Sequence, residues 1–334
     1  MSQHGQLHER RLALSQIADG YRQAATLNTA QHLGIFSALA EKEMDAGELA
    51  TLLELDKRNL GLLLRALVAM DLLRIDEEQR FYLHGLALEF LTPGAEYYMG
   101  DIIEHGYDLM QRWVRMGEVV QSGKPIPRKA GGRSPRQLRA FIMGMQNISK
   151  LSAEEVVDVL DLHGVKRILD LGGGPGTYLY GFLKRLPEAS GAVLDLPDVV
   201  EIAQEQAVAE GMEERVDLIP GDMFSTDLGG PWDLIFIGNI IHSYGPETNR
   251  ELVSRCAKAL APGGRLAIKD FFLDSTGTQP KNGALFSLNM MTANEEGRAY
   301  RRAEVEEWML QAGLTIHSLH QVGTHSGVLV GGKA

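Results

Sequence analysis

Apolar positions in the first hundred residues recur at helical spacing and then briefly alternate. Residues 10–31 carry the helical period, and Leu33-Gly34-Ile35-Phe36-Ser37-Ala38-Leu39 continues it. Asp45 stands as an N-cap before a helix over 46–53, and Asp56 before one over 58–70. Two short apolar runs, 72–75 and 81–83, flank the polar turn Asp76-Glu77-Glu78-Gln79 and predict a small hairpin. Helix, helix, hairpin is the outline of a winged helix.

Residues 101–160 keep the helical period, with one interruption. The stretch 123–134 is rich in Gly, Pro, Lys and Arg and predicts a loop, and 136–162 predicts one long helix or two. From Val165 the pattern changes to short apolar runs separated by helical ones. Strands are expected at 167–171, 192–195, 216–219, 234–238 and 266–272. Helices are expected at 176–186, 199–210 and 247–260, the last closed by Pro262-Gly263-Gly264. Strands separated by helices imply an α/β domain with a parallel, doubly wound sheet. Beyond it come an irregular segment (274–300), a helix (304–311), and two runs (314–322, 327–330) that predict a hairpin at the sheet edge. The domains expected are 1–100, a helical linker and pocket segment 101–162, and a catalytic domain 163–334.

Length and composition narrow the partners. The 334 residues have room for two domains, and the formal net charge of −11 disfavours nucleic acid as the main partner. A winged helix that binds DNA needs clustered positive charge, yet residues 1–100 hold nine Lys/Arg against fourteen Asp/Glu. A packing or dimerisation role fits that segment better. The one cysteine, Cys256, fits a reducing compartment and a core position. The polar N-terminus has no apolar signal-like run, and no apolar stretch is long enough to span a membrane. A cytoplasmic protein is expected.

The chemistry starts at Val165-Lys-Arg-Ile-Leu-Asp-Leu-Gly-Gly-Gly-Pro-Gly-Thr-Tyr178, a buried strand turning tightly into a helix. The dinucleotide fingerprint fails here: counted from Gly172, its sixth position is Thr177, and counted from Gly173, its third is Pro175. The stretch has no P-loop lysine either. What fits is acidic-x-Gly-x-Gly-x-Gly, made by Asp170, Gly172, Gly174 and Gly176. A carboxylate at the strand end repels a pyrophosphate and suits a cationic ligand carrying an amine, such as S-adenosylmethionine. The alternative is a glycine loop that serves only the turn.

Ligands of open α/β sheets bind outside the carboxyl ends of the strands. The second predicted strand ends at Asp195, 19 residues past Gly176, where an acidic side chain can take ribose hydroxyls; helix capping is the alternative. Leu196 follows it. After the third strand, Asp222 can accept from an adenine amino group and Met223 can pack on the ring, unless Asp222 is a plain turn residue. The fourth strand ends in Gly238-Asn239-Ile240-Ile241-His242 and the fifth in Lys269-Asp270. Asn239 is placed with the cofactor residues. His242 beside that crevice can act as a general base, with Asp270 orienting it; a capping or core histidine is the alternative. A phenol has a pKa of about 10, so ionising it at pH 7 costs about 4 kcal/mol at ~1.36 kcal/mol per unit, within reach of a positioned imidazole. Aliphatic alcohols are much weaker acids, so a phenol-like acceptor is expected.

An acceptor of that kind needs an apolar, aromatic pocket. Tyr107, Met110, Trp113, Phe141, Met145, Phe286, Met290 and Met291 are the candidates, with plain core packing as the alternative for each. His317, His320 and His325 fall in the predicted edge hairpin without metal-ligand spacing, so no metal is expected.

Four stretches together carry a family resemblance: Asp170 to Gly176, Leu194-Asp-Leu-Pro-Asp-Val-Val200, Gly221-Asp-Met-Phe224 and Ile240-Ile-His242. The chain resembles, nearly end to end, the S-adenosylmethionine-dependent O-methyltransferases of the caffeate/acetylserotonin type, bacterial small-molecule members included. The resemblance implies a class I, Rossmann-like catalytic domain behind an N-terminal winged-helix dimerisation domain. It implies that Gly172, Asp195, Asp222 and Met223 contact S-adenosylmethionine, which leaves as S-adenosylhomocysteine, that His242 is the base and that Asp270 steers it. It also implies a homodimer acting on a small aromatic substrate; charge and the lack of a long apolar run add the expectation of no nucleic acid and no membrane partner.

The sequence departs from that family at three points. Gly238 stands where a lysine is common, Ala299 stands where a second steering glutamate is common, and His242 continues into Ser243-Tyr244 rather than Asp-Trp. Two other readings stay open. One keeps the cofactor but moves methyl to nitrogen or carbon, or does not methylate. The other is a ligand-sensing winged-helix regulator.

Overall fold

The computed structural model describes residues 3–127 and 134–334. They form two compact units, residues 1–111 and 112–334. The division falls inside one helix, so 101–162 is not a unit of its own.

The first unit begins with α1 (Gln3–His32) and α2 (Ile35–Glu41), followed by α3 (Ala46–Leu52) and α4 (Lys57–Ala69). The hairpin is β1 (Leu73–Ile75) and β2 (Phe81–Leu83), with Leu73 opposite Leu83 and Ile75 opposite Phe81. Then come α5 (Gly85–Phe90) and α6 (Gly100–Trp113). The caps are where the sequence puts them. Asp45 accepts from the N–H groups of Gly47 and Glu48 at 2.6 and 3.0 Å, while Glu48 accepts from the N–H of Asp45. Asp56 accepts from Asn59 N–H at 2.8 Å. Ile35, Phe36, Leu49, Leu64, Leu67, Leu73 and Phe81 make the core.

The second unit continues through α7 (Met116–Ser122), α8 (Pro135–Val159), β3 (Arg167–Leu171), α9 (Thr177–Arg185), β4 (Ser190–Asp195), α10 (Pro197–Ala209) and β5 (Val216–Pro220). It goes on with β6 (Trp232–Gly238), α11 (Pro246–Ala259), β7 (Leu260–Asp270), β8 (Phe272–Leu273), α12 (Lys281–Ala293), β9 (Tyr300–Arg301), α13 (Arg302–Gln311), β10 (Thr315–Val322) and β11 (Ser326–Gly332). The large sheet has the order β10-β11-β7-β6-β3-β4-β5, with β3 to β7 parallel and the terminal hairpin added antiparallel on β7. After β5 the chain returns to the other side of β3, so the strand order reverses there and the loops part. Residues of α8, α9 and α10 pack on one face, those of α11 and α13 on the other. The inner parallel strands β3, β4, β6 and β7 are covered on both sides, which explains their near-continuous apolar runs.

Two expectations change. The segment 274–300 is not irregular: it contains α12, whose Ala284, Leu285, Phe286, Leu288, Met290 and Met291 leave no polar face for a periodic signal to mark. The strand expected at 266–272 starts six residues earlier, at Leu260, and stops at Asp270. Its end is set by Asp270, whose Oδ1 accepts from Phe271 N–H at 2.7 Å as the chain turns away; Phe272 then pairs with Tyr300 in the separate β8–β9 ladder. Between β6 and α11 a single 3-10 turn, Ile241–Ser243, carries His242. The helix expected over 136–162 is one helix, and of the loop expected at 123–134, residues 128–133 lie outside the described residues.

Gly191 on β4 lies under α9, where a Cβ would fall 2.4 Å from Leu179 Cδ1 and 2.8 Å from the carbonyl oxygen of Ile168. The carbonyl cannot yield, so Gly191→Ala is expected to lower the unfolding free energy by about 1–3 kcal/mol. Chemical denaturation checks this; an unchanged midpoint would show that the sheet accommodates the methyl group.

Candidate active site

Each parallel strand delivers a polar group to the same edge of the sheet. Asp170 lies on β3, one residue before its end; it is 1% exposed, and neither carboxylate oxygen makes a full hydrogen bond. Burial pushes its pKa up to about 7, with the N–H dipole of Leu179 offsetting part and the nearby Asp195 adding to it. Gly173 covers it: a Cβ there would fall 2.6 Å from Asp170 Cγ. Asp170 thus lies beneath the turn, covered by the backbone of Gly173.

Above it the backbone is bare. Gly172 adopts φ +68°, and a Cβ there would fall 2.7 Å from Ile240 Cδ1 and 3.1 Å from Met223 Cε. Only glycine meets both demands. The turn after β3, the loop after β5 and the loop after β6 converge at this point. A Cβ on Gly174 would meet nothing within 4 Å, so its backbone borders open space. Gly176 precedes α9 and is closed off by the ring of Tyr180.

Asp195 does not cap α10; Leu196 holds that position, without a side-chain cap, and is 54% exposed. Asp195 Oδ2 accepts from Gly174 N–H at 2.8 Å and Oδ1 from Leu196 N–H at 2.7 Å, and burial pushes its pKa up against these bonds. Asp222 is exposed and accepts from Phe224 N–H at 2.9 Å, a turn role that leaves its second oxygen without a partner among the described residues. Asn239 holds φ +59°, and its Oδ1 accepts from Lys269 Nζ at 3.1 Å.

His242 and Asp270 form a buried side-chain pair at the site. His242 Nδ1 lies 2.9 and 3.1 Å from the two oxygens of Asp270, which is 2% exposed. The carboxylate fixes the tautomer: Nδ1–H donates, and Nε2 keeps its lone pair. The His242 side chain is 10% exposed, and no hydrogen bond to Nε2 forms among the described residues. Asn249 holds the turn from α11, where its Nδ2 donates to the carbonyls of Ile241 and Tyr244 at 2.8 and 3.2 Å. Gly297 closes on it from the other side: a Cβ would fall 2.8 Å from the carbonyl of His242. Sequence reasoning missed Asn249; its signal is a polar residue at a fully buried position of α11.

An aromatic wall stands beside the imidazole. The Phe286 ring meets His242 edge-on at 4.8 Å between centroids, and packs on Phe271 at 4.3 Å. Phe271 was not anticipated, because its position just past β7 reads as strand. The other pocket candidates are dispersed. Met290 and Met291 share α12 with Phe286, and Trp113 Nε1 donates to Asn289 Oδ1 on that helix at 3.3 Å. Phe141 packs in the cluster of Ile142, Val199 and Ile202, while Met145 is half-buried one turn further along α8. Tyr107 and Met110 belong to the first unit, where Tyr107 stacks flat on His32 at 3.9 Å.

Comparison with known proteins gives this geometry a setting. Residues 112–315 match the family model of an O-methyltransferase domain, and residues 15–93 that of an O-methyltransferase dimerisation domain. The 3-hydroxy-5-methyl-1-naphthoate 3-O-methyltransferase of Streptomyces sahachiroi is 33% identical over 313 residues, 90% of this chain and 88% of the relative. The acetylserotonin O-methyltransferase of Bos taurus is 28% identical over 95% of this chain and 96% of its own length. Among solved structures, an O-methyltransferase family protein from Burkholderia thailandensis superposes with a TM-score of 0.85 at 27% identity, covering 97% of this chain and 98% of that one.

The buried carboxyl of Asp170 has a pH signature. Its folded pKa of about 7 stands above the ordinary 3.8, so between those values the folded chain keeps a proton that the unfolded chain has lost. Stability contributed by this group is therefore present at low pH, falls as pH rises from about 4 to about 7, and is level above that. Asp170→Asn removes the slope. Its unfolding free energy, measured against wild type in the ligand-free protein, is expected to gain up to about 4 kcal/mol across that window. Parallel curves for the two proteins would rule out a perturbed carboxyl at this position.

Proposed function

Because the chain belongs to the O-methyltransferase family, we propose that it transfers a methyl group from S-adenosylmethionine to a hydroxyl of a small aromatic acceptor, with His242 as general base. The observation that carries this reading is the His242–Asp270 pair, with Nε2 unspent and an aromatic wall against the ring.

Residues of the second unit fit the cofactor. Gly174 offers backbone that borders open space, Gly172 lets Ile240 and Met223 close on the turn, and Asp195 would exchange its bond to Gly174 for ribose hydroxyls. The free oxygen of Asp222 suits the adenine amino group, and Met223 and exposed Leu196 suit the ring faces. Asp170 puts a buried negative charge under a ligand that is itself cationic, an orphaned group that such a ligand would satisfy. When bound, S-adenosylmethionine supplies a methyl carbon already made electrophilic by its sulfonium.

The chain's own residues then have one proton to move. Nε2 of His242 accepts it from the acceptor hydroxyl. The Asp270 carboxylate, out of water and already bonded to Nδ1–H, stabilises the imidazolium that results. A phenol or naphthol lies within the range of a neutral imidazole, worth roughly 10²–10⁴ in rate. Phe286 and Phe271 hold the acceptor ring and keep water from the base. Met290, Met291, Trp113, Phe141 and Met145 complete the proposed apolar surroundings in this unit.

A homodimer is supported by the dimerisation-type domain and by α1. Residues 6–24 of that helix are exposed throughout, with Leu7, Leu14, Ile17 and Tyr21 each at least 66% exposed. A helix so bare is marginal alone and gains its stability from a partner surface.

Two experiments test the reading. His242→Ala is expected to lower turnover at least about a hundredfold while leaving S-adenosylhomocysteine affinity within about twofold; near-wild-type turnover would remove His242 from the mechanism. Incubated with S-adenosylmethionine and a panel of phenols, naphthols and hydroxyindoles, the wild type is expected to yield a product heavier by one methylene, with the methyl group on oxygen by NMR. Methyl found on nitrogen or carbon would replace the hydroxyl acceptor with another atom.

A further inference from the structure

Lys269 is the last residue but one of β7, next to Asp270 of the proposed catalytic pair, and nothing in the reaction described so far uses it. The residue is 5% exposed. Its Nζ donates to Asn239 Oδ1 at 3.1 Å and lies 5.8 and 6.0 Å from the ring centroids of Tyr178 and Phe271. No ion pair to Asp or Glu forms at this lysine among the described residues. A buried ammonium held by one neutral amide and two ring faces is an expensive arrangement that an apolar side chain of equal length would avoid.

The backbone around it is shaped to the same end. Asn239 takes its left-handed conformation while its N–H donates to the carbonyl of Lys269 at 2.8 Å. Gly238 is the register partner of Lys269, and a Cβ there would fall 2.8 Å from the Phe236 ring and 3.2 Å from that of Tyr178. Position 238 is where the family resemblance leads one to expect a lysine. Here β6 offers no side chain, and the cation comes from the neighbouring strand.

Register shows what this cation faces. Asp170, Phe236 and Ala267 share one cross-strand row; Gly238 and Lys269 share the row two residues on, on the same face of the pleat. The mouth of the sheet thus carries an unpaired carboxylate on β3 and an ammonium without a carboxylate on β7, two strands apart. That polarity matches an α-amino acid zwitterion. We infer that Lys269, held by Asn239, is a carboxylate-binding residue of the cleft, its first ligand being the α-carboxylate of the amino-acid end of S-adenosylmethionine. The inference rests on the cofactor reading above. A carboxylate on the acceptor has the same chemistry and is the other possible source.

Calorimetry on the full chain separates them. Lys269→Met keeps the stem and drops the charge. It is expected to weaken S-adenosylhomocysteine about tenfold to a hundredfold, the loss of a charge-assisted bond. The variant should bind 5′-methylthioadenosine, which lacks the amino-acid end, as wild type does, and Lys269→Arg should retain most of the affinity. The ligand-free thermal midpoint of Lys269→Met is expected at or above that of wild type. If S-adenosylhomocysteine is unaffected, but 1-hydroxy-2-naphthoate loses affinity relative to 1-naphthol in its presence, the carboxylate belongs to the acceptor. Equal binding of all four probes by wild type and variant overturns the proposal. So does a lowered midpoint with loss of 5′-methylthioadenosine binding, which would mean that the lysine serves the fold. Failure of wild type itself to bind S-adenosylhomocysteine would instead remove the cofactor reading.

Discussion

Asp170, Lys269 and Asp270 are each at most 5% exposed, and all three stand at the carboxyl edge of one parallel sheet. Removing a charge from water costs several kcal/mol unless partners replace the solvent. Here the replacement is uneven. Asp270 is fully served, by the imidazole of His242 and the N–H of Phe271. Lys269 is half served, by an amide and two rings. Asp170 is left without a full bond. The rest of the sheet has to hold these groups in place against that cost. It does so with strands buried on both faces and with glycines wherever a side chain would intrude.

The unevenness divides the labour of the site. A charge whose partners are all protein is a fixed instrument: Asp270 orients His242 and needs nothing more. Charges left short of partners are the proposed receptors, because a ligand that completes them would recover desolvation energy already spent in folding. Asp195 stands between these cases. Its bonds to Gly174 and Leu196 hold it in position, yet burial still pushes its pKa up, so part of its capacity is unspent.

Much of this was legible in the chain. The caps at Asp45 and Asp56, the hairpin and the strand–helix alternation all arise from local chemistry, and each stands within a few residues of its expected place. The glycine turn and His242 could be read because strand ends and special backbone leave marks in sequence. What could not be read depended on tertiary contact. α12 has no polar face to betray it, and it supplies Phe286. Asn249 looked like an ordinary helix residue until the 3-10 turn stood over it. Lys269 showed only as the end of a strand; that no ion pair to Asp or Glu forms at it among the described residues is a property of the folded sheet. Tyr107 stacking on His32 likewise needed coordinates.

The departure at Ala299 fits the same logic. The side chain is 2% exposed, and its N–H donates to Ser287 Oγ at 3.1 Å on α12. No second carboxylate reaches His242 from this segment; its contribution is steric, through Gly297 against the His242 carbonyl. One buried carboxylate is enough to fix an imidazole tautomer and to stabilise one positive charge. A second would add desolvation cost without another proton to hold, since methyl transfer moves only one. With His242 as the proposed base, a single neutral imidazole suits the proposed phenolic hydroxyl better than an aliphatic one.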